Sequence, residues 1–89
     1  MSYFIDMNEH NISLMHLTNL QANETAEIVS ILGGRNASKR LSDLGLIHGT
    51  KIKLLRKAPY GGPIEIQFRG TRLMIGYGLA NKIQVKRIL

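Results

Sequence analysis

Cysteine and tryptophan are both absent from the 89 residues, and only two prolines occur. Without cysteine the chain can form neither a disulfide nor a thiolate metal site, so its stability has to come from packing, which suits a reducing compartment. No apolar run approaches the roughly 18 residues of a membrane-spanning helix. The opening MSYFIDMNEH has neither the positive start nor the apolar centre of a secretory signal. These absences predict a soluble, cytoplasmic protein. Aromatic residues make up only 6%, which leaves little from which to build a surface that stacks bases. Negative charge is scarce as well, with six Asp and Glu against twelve Lys and Arg. Asp6 and Glu9 fall within residues 1–13, which hold no Lys or Arg. The rest of the chain sets all twelve basic residues against Glu24, Glu27, Asp43 and Glu65, a balance of +8. Such an excess points to an anionic partner (nucleic acid, a lipid surface or an acidic protein face) or to a basic surface that serves solubility.

What is present reads as one small domain. A chain of this length buries about 60–65% of its unfolded surface, which gives a thin core. Residues 1–13 show no clean period and are expected to form a flexible leader, with Tyr3, Phe4 and Ile5 available to pack on the domain or on a partner. The domain is expected to occupy residues 14–89. Leu14, Leu17 and Leu20 recur at three-residue spacing, compatible with a short helical turn or an extended apolar lead-in. TAEIVSIL (residues 25–32) is rich in β-branched residues, but Ile31 breaks the alternation set by Ala26 and Ile28, which predicts a strand bulged near Val29 and Ser30. In RNASKRLSDL (residues 35–44), Ala37, Leu41 and Leu44 stand at i, i+4 and i+7, the pattern of a short amphipathic helix, and Gly45 sits where a left-handed residue ends one.

Leu46 and Ile47 then return toward the core, and His48-Gly49 turns the chain. Ile52 and Leu54 on one side, and Ile64, Ile66 and Phe68 on the other, alternate with polar residues around PYGGP. That pattern predicts an antiparallel hairpin closed by a turn of about five residues. Leu73 and Ile75 mark a further strand, Leu79-Ala80-Asn81 a single helical turn, and Ile83 and Val85 a last strand. The expected fold is mainly β: about five strands with one short α-helix between the first and second. At this size a curled sheet hides its edges best, so a small SH3-like barrel is expected, with an OB-type barrel as the alternative.

Several of these positions together carry a family resemblance. They are Ala26-x-Ile28, Ile31-x-Gly33-Gly34, Arg40-Leu41-x-x-Leu44-Gly45-Leu46-x-x-Gly49-Thr50-x-Ile52 and Ala58-Pro59-x-Gly61-x-Pro63-Ile64-x-Ile66, followed by Gly70-x-x-Leu73, Ala80 and Ile83-x-Val85. From about Leu17 to Val85 the chain resembles the FeoA family, small cytoplasmic proteins of bacterial ferrous iron uptake. The same module is similar to the C-terminal domain of iron-dependent repressors related to the diphtheria toxin repressor. His48 stands where the family commonly has proline, and Gly76 where it often has arginine. The resemblance implies an SH3-like barrel that works with FeoB, a membrane transporter whose cytoplasmic part binds GTP. The implied role is accessory and non-enzymatic, with membrane contact only through the partner. Transition-metal binding is a family-level implication: no intrinsic cofactor is expected, and Fe(II) would be met only through the transport system.

Residue chemistry agrees with a binding module. Gly33-Gly34 and Gly61-Gly62 lack the Lys-Ser/Thr of a phosphate loop, and the G-x-G of Gly76-Tyr77-Gly78 is followed by Asn81 where a dinucleotide fingerprint needs its third glycine. The serines have no motif-level His and acid partners, so no catalytic residue is expected. His10, His16 and His48 are dispersed, which leaves only a weak two-ligand metal candidate, Asp43 with His48. The expected interaction residues are Leu44, Leu46 and Ile47 at the helix end, and Arg56, Lys57, Tyr60, Gly61 and Gly62 around the hairpin turn. Nucleic-acid binding through Lys51, Lys53, Lys57, Arg69, Arg72, Lys82, Lys86 and Arg87 is the alternative, weakened by the lack of interleaved aromatics.

Overall fold

The structure, a computed structural model, describes residues 14–88. The expected leader, including Tyr3, Phe4, Ile5 and His10, and the last residue lie outside the described part. Six strands form one antiparallel sheet: β1 (Leu14–His16), β2 (Thr25–Ile31), β3 (Lys51–Lys57), β4 (Ile64–Phe68), β5 (Thr71–Ile75) and β6 (Ile83–Ile88), in the order β1-β6-β2-β3-β4-β5. Helix α1 (Gly34–Asp43) links β2 to β3, and the one-turn helix α2 (Tyr77–Ala80) links β5 to β6.

Residues from five of these strands, including Ala26, Ile28, Ile52, Leu54, Ile64, Ile66, Ile75, Ile83 and Val85, are buried in a single cluster, and Met15 of β1 packs against it. Helix α1 adds only Ala37 and Leu41 to the buried set, far too little to cover a flat six-stranded sheet. The sheet therefore covers itself by curling. This is the expected SH3-like architecture, with one strand more than the sequence reading supplies. Leu14–His16 is too short to show a period, and it runs straight into a 3-10 turn, Leu17–Asn19. At three residues per turn, Leu17 and Leu20 fall on one side and both are fully buried, whereas Leu14, the first of the three spaced leucines, lies in β1 and is half exposed.

Two bulges set which side chains face out. Between Ile28 and Ser30 the β2–β6 register shifts, so Ser30 lies opposite Gln84 and Ile31 opposite Ile83. The extra residue at Val29 thus returns Ile31 to the inner face and turns Ser30 outward, where its hydroxyl donates to Gln84 Oε1 at 2.7 Å. This is the bulge expected from the broken alternation. The second bulge, at Leu55, is not evident in the sequence. Leu54 faces Ile66, and Arg56 already faces Glu65. Without the extra residue, Arg56 would share the inward phase of Ile52 and Leu54 and drive a guanidinium into the core. With it, Arg56 pairs with Glu65 at 3.0 Å on the outside. Lys57 then lies opposite the buried Ile64, and its ammonium donates to the Thr18 carbonyl at 3.1 Å. The Thr18 hydroxyl in turn donates to Asn81 Oδ1 at 2.8 Å, tying the 3-10 turn to the end of α2.

Candidate functional site

Helix α1 ends one residue before the sequence reading places it, and the manner of its ending builds the first candidate surface. The Leu46 amide donates to the Leu41 carbonyl at 2.8 Å and the Gly45 amide to the Ser42 carbonyl at 2.9 Å, with Gly45 at φ 93°. These paired bonds define a Schellman cap, closed by contact between the flanking apolar residues Leu41 and Leu46. Thr50 holds the next turn: its hydroxyl accepts from the Ile47 amide at 3.2 Å and donates to the Gly45 carbonyl at 3.3 Å. With Leu41 and Leu46 committed to the core, the residues beside them are forced outward, leaving Leu44 44% and Ile47 48% exposed.

This corrects two expectations. Leu46 is 1% exposed, a core residue that cannot touch a partner, because the cap needs its side chain against Leu41. Ile47, expected to return inward, faces solvent. The cap is also testable. Gly45→Ala places a Cβ at a left-handed φ and 3.4 Å from the Phe68 ring. It is expected to cost about 1–2 kcal/mol in urea denaturation, and an unchanged midpoint would contradict the left-handed cap.

The hairpin forms the second candidate surface. Its turn is tighter than expected: the Ala58 amide donates to Pro63 O at 2.9 Å and the Gly62 amide to Pro59 O at 3.2 Å. Pairing therefore continues past the regular strands and leaves a two-residue loop, Tyr60-Gly61. Pro59 and Pro63 have no N–H to add to the ladder, so their pairing is invisible in the composition of PYGGP. Tyr60 has φ 59° and Gly61 φ 72°, two successive positive values that match a type I′ turn. Gly62 is required by close approach, since a Cβ there would lie 2.8 Å from the Ala58 Cβ. Tyr60 stands 102% exposed at the tip. A bulky residue at positive φ is uncommon and strained by about 1 kcal/mol or more.

The other named residues fall into place around these two features. Gly61 and Gly62 shape the turn and present no side chain. Arg56 is engaged by Glu65, and Lys57 bolts the hairpin base to the 3-10 turn rather than reaching outward. The corner and the tip lie at opposite ends of β3, whose seven residues span about 23 Å. They cannot form one pocket, although a standard protein interface of about 800 Å² per partner is wide enough to cover both.

Asp43 is held by Lys39 at 3.5 Å, and His48 lies in the exposed turn beyond the corner. His16 sits in β1 with its Nδ1 buried and lacking a hydrogen-bond partner among the described residues. Among the described residues no group of three or more His, Cys, Asp or Glu converges as a metal site would require. No described helix is long and apolar enough to cross a membrane.

The fold and its two rigid, solvent-facing turns define a small SH3-like β-barrel domain. The FeoA domain model matches residues 15–87 of the chain, which therefore belongs to the FeoA domain family. A protein of Methanocaldococcus jannaschii named "Putative Fe(2+) transport protein A" is 37% identical over 67 residues, covering 73% of this chain and 79% of that protein. The solution structure of a FeoA protein from Chlorobium tepidum is 39% identical, with a TM-score of 0.76 over 84% of this chain and 71% of that one. The crystal structure of an iron uptake regulatory protein (FeoA) is 34% identical, with a TM-score of 0.77 over 85% of this chain and 99% of that one. A manganese-dependent transcriptional repressor shares the fold alone, with 14% identity and a TM-score of 0.77 over 84% of this chain and 42% of that one.

Proposed function

We propose that this protein is a cytoplasmic accessory component of ferrous iron uptake that acts by docking on the cytoplasmic region of the transporter FeoB. Family membership supplies the link to iron transport. The observation that carries the docking role is the pair of rigid turns that hold apolar side chains in solvent: Leu44 and Ile47 beside the Schellman cap, and Tyr60 on the type I′ loop. Folding alone would gain from moving these side chains out of water, whereas recognition needs them presented in a fixed geometry. Tyrosine suits such a role because it offers apolar area and a hydroxyl with few rotatable bonds.

The docking role is tested by pull-down with this protein as bait, offering the GTP-binding domain and the membrane segment of FeoB separately. Retention of either supports it, and failure with both overturns it. A second expectation concerns iron. The domain handles Fe(II) only through the transporter, so anaerobic titration with Fe(II) is expected to show no saturable binding in the micromolar range. Micromolar affinity lost on His48→Ala would instead establish a metal site at the corner.

A further inference from the structure

The outer face of the sheet carries charge that the two turns do not use. Cross-strand register places Lys86 of β6, Glu27 of β2 and Lys51 of β3 in one row. The adjacent row runs from Thr25 through Lys53 and Gln67 to Arg72 of β5. Strands lie about 4.8 Å apart and alternate residues about 6.7 Å apart, so Lys86, Lys51, Lys53 and Arg72 form a diagonal band roughly 20 Å long.

Of the four acids among the described residues, three are engaged elsewhere: Glu65 by Arg56, Glu24 by Arg87 and Asp43 by Lys39. Glu27 alone lies within the rows, and none of the four cations forms an ion pair among the described residues. Glu27 offsets one of these charges, which leaves the band at +3, with Lys51 and Lys53 as the neighbouring like charges whose repulsion an anionic partner would relieve.

We infer that this band is an electrostatic docking face for an acidic protein surface. The inference rests on the docking role proposed above and names the chemistry of the surface that the partner presents. Two observations favour protein over nucleic acid. Among the described residues the face carries no aromatic side chain: Phe68 is buried, Tyr60 stands at the hairpin tip and Tyr77 follows β5. The sheet is also curled around its core, so this face is convex and forms no groove to track a phosphate backbone. Lys51 and Lys53 lie on β3 between the apolar corner and the tip, so one partner laid along β3 meets apolar contacts at both ends and positive charge between them. In that arrangement the charges steer association and fix register, while the apolar ends hold the complex together.

The test is titration of the FeoB cytoplasmic GTP-binding region and membrane segment with wild-type protein, the double reversal Lys53→Glu/Arg72→Glu, and the conservative double Lys53→Arg/Arg72→Lys. Thermal melts confirm that each variant is folded. The reversal is expected to weaken binding by about tenfold or more at low salt, the conservative double to bind as wild type, and the difference to shrink as salt rises. A reversal that binds within about twofold of wild type overturns the face and leaves the docking role standing.

If wild type binds neither part of FeoB, the docking role fails, and the face is decided separately by amide-shift titrations with a polyglutamate peptide and with a DNA duplex. Shifts at Lys51, Lys53, Arg72 and Lys86 with polyglutamate support an acidic protein partner. Shifts with the duplex alone, or with neither probe, overturn it.

Discussion

Leu46→Ala is expected to lower the stability of this domain by about 2–5 kcal/mol, the range for truncating a fully buried leucine. Leu46 is fully buried in the shared core cluster, and its amide closes the Schellman cap on Leu41. Truncation removes transfer free energy, leaves a cavity and loosens the clamp that turns Leu44 and Ile47 outward. A domain of this size has a total stability of roughly 4–13 kcal/mol, so the variant is expected to unfold at a much lower denaturant concentration. Urea denaturation checks the loss directly. Any binding that Leu46→Ala loses should track its unfolded fraction, whereas Leu44→Ser/Ile47→Ser should weaken docking with the urea midpoint nearly unchanged. Full binding by that exposed double variant would remove the corner from the interface.

Tyr60→Asn is expected to move stability and binding in opposite directions. Asparagine tolerates positive φ, and Asn-Gly is the preferred pair for a type I′ loop, so the substitution relieves strain at φ 59°. The gain is about 1 kcal/mol, which raises the melting temperature by roughly 4–8 °C in a domain of this size. The same change removes the most exposed apolar group at the tip. If Tyr60 is an anchor, affinity for the FeoB cytoplasmic region falls by about tenfold or more. Tyr60→Ala, which keeps the strained backbone and loses the ring, should fold and also bind weakly. A stabilised Tyr60→Asn that binds as wild type would mean the tyrosine is tolerated at the turn rather than selected for contact.

The local elements were largely legible along the chain. Helix α1 lies one residue from its expected position, because Ala37 and Leu41 announce the buried face and Gly45 the cap. The β2 bulge was legible because Ile31 is out of phase with Ala26 and Ile28. The Leu55 bulge was not: LLRK offers a plausible alternation with or without an extra residue, and only the pairing of Arg56 with Glu65 reveals it. The hairpin is evident in the sequence but its turn is shorter than the five residues of PYGGP suggest, since prolines hide pairing that the Ala58 and Gly62 amides carry by themselves. Of the interaction residues, Tyr60 was legible as exposed, whereas Leu44, in phase with Ala37 and Leu41, and Ile47, expected to turn inward with Leu46, both face solvent because the cap commits only Leu41 and Leu46 to the core.

By itself, the sequence determined a small, basic, cysteine-free β domain with one capped helix, a glycine-proline hairpin and the motif pattern of the FeoA family. Those properties are written in composition, in local periodicity and in residues that suit particular backbone angles. The tertiary structure decided which leucine at the corner is core and which is surface, and how far Tyr60 stands from Leu44. It also decided that Lys53 of β3 and Arg72 of β5 share a row with Gln67 between them. These facts depend on strand register and on bulges, and a one-residue shift in either turns a side chain from the core to the solvent.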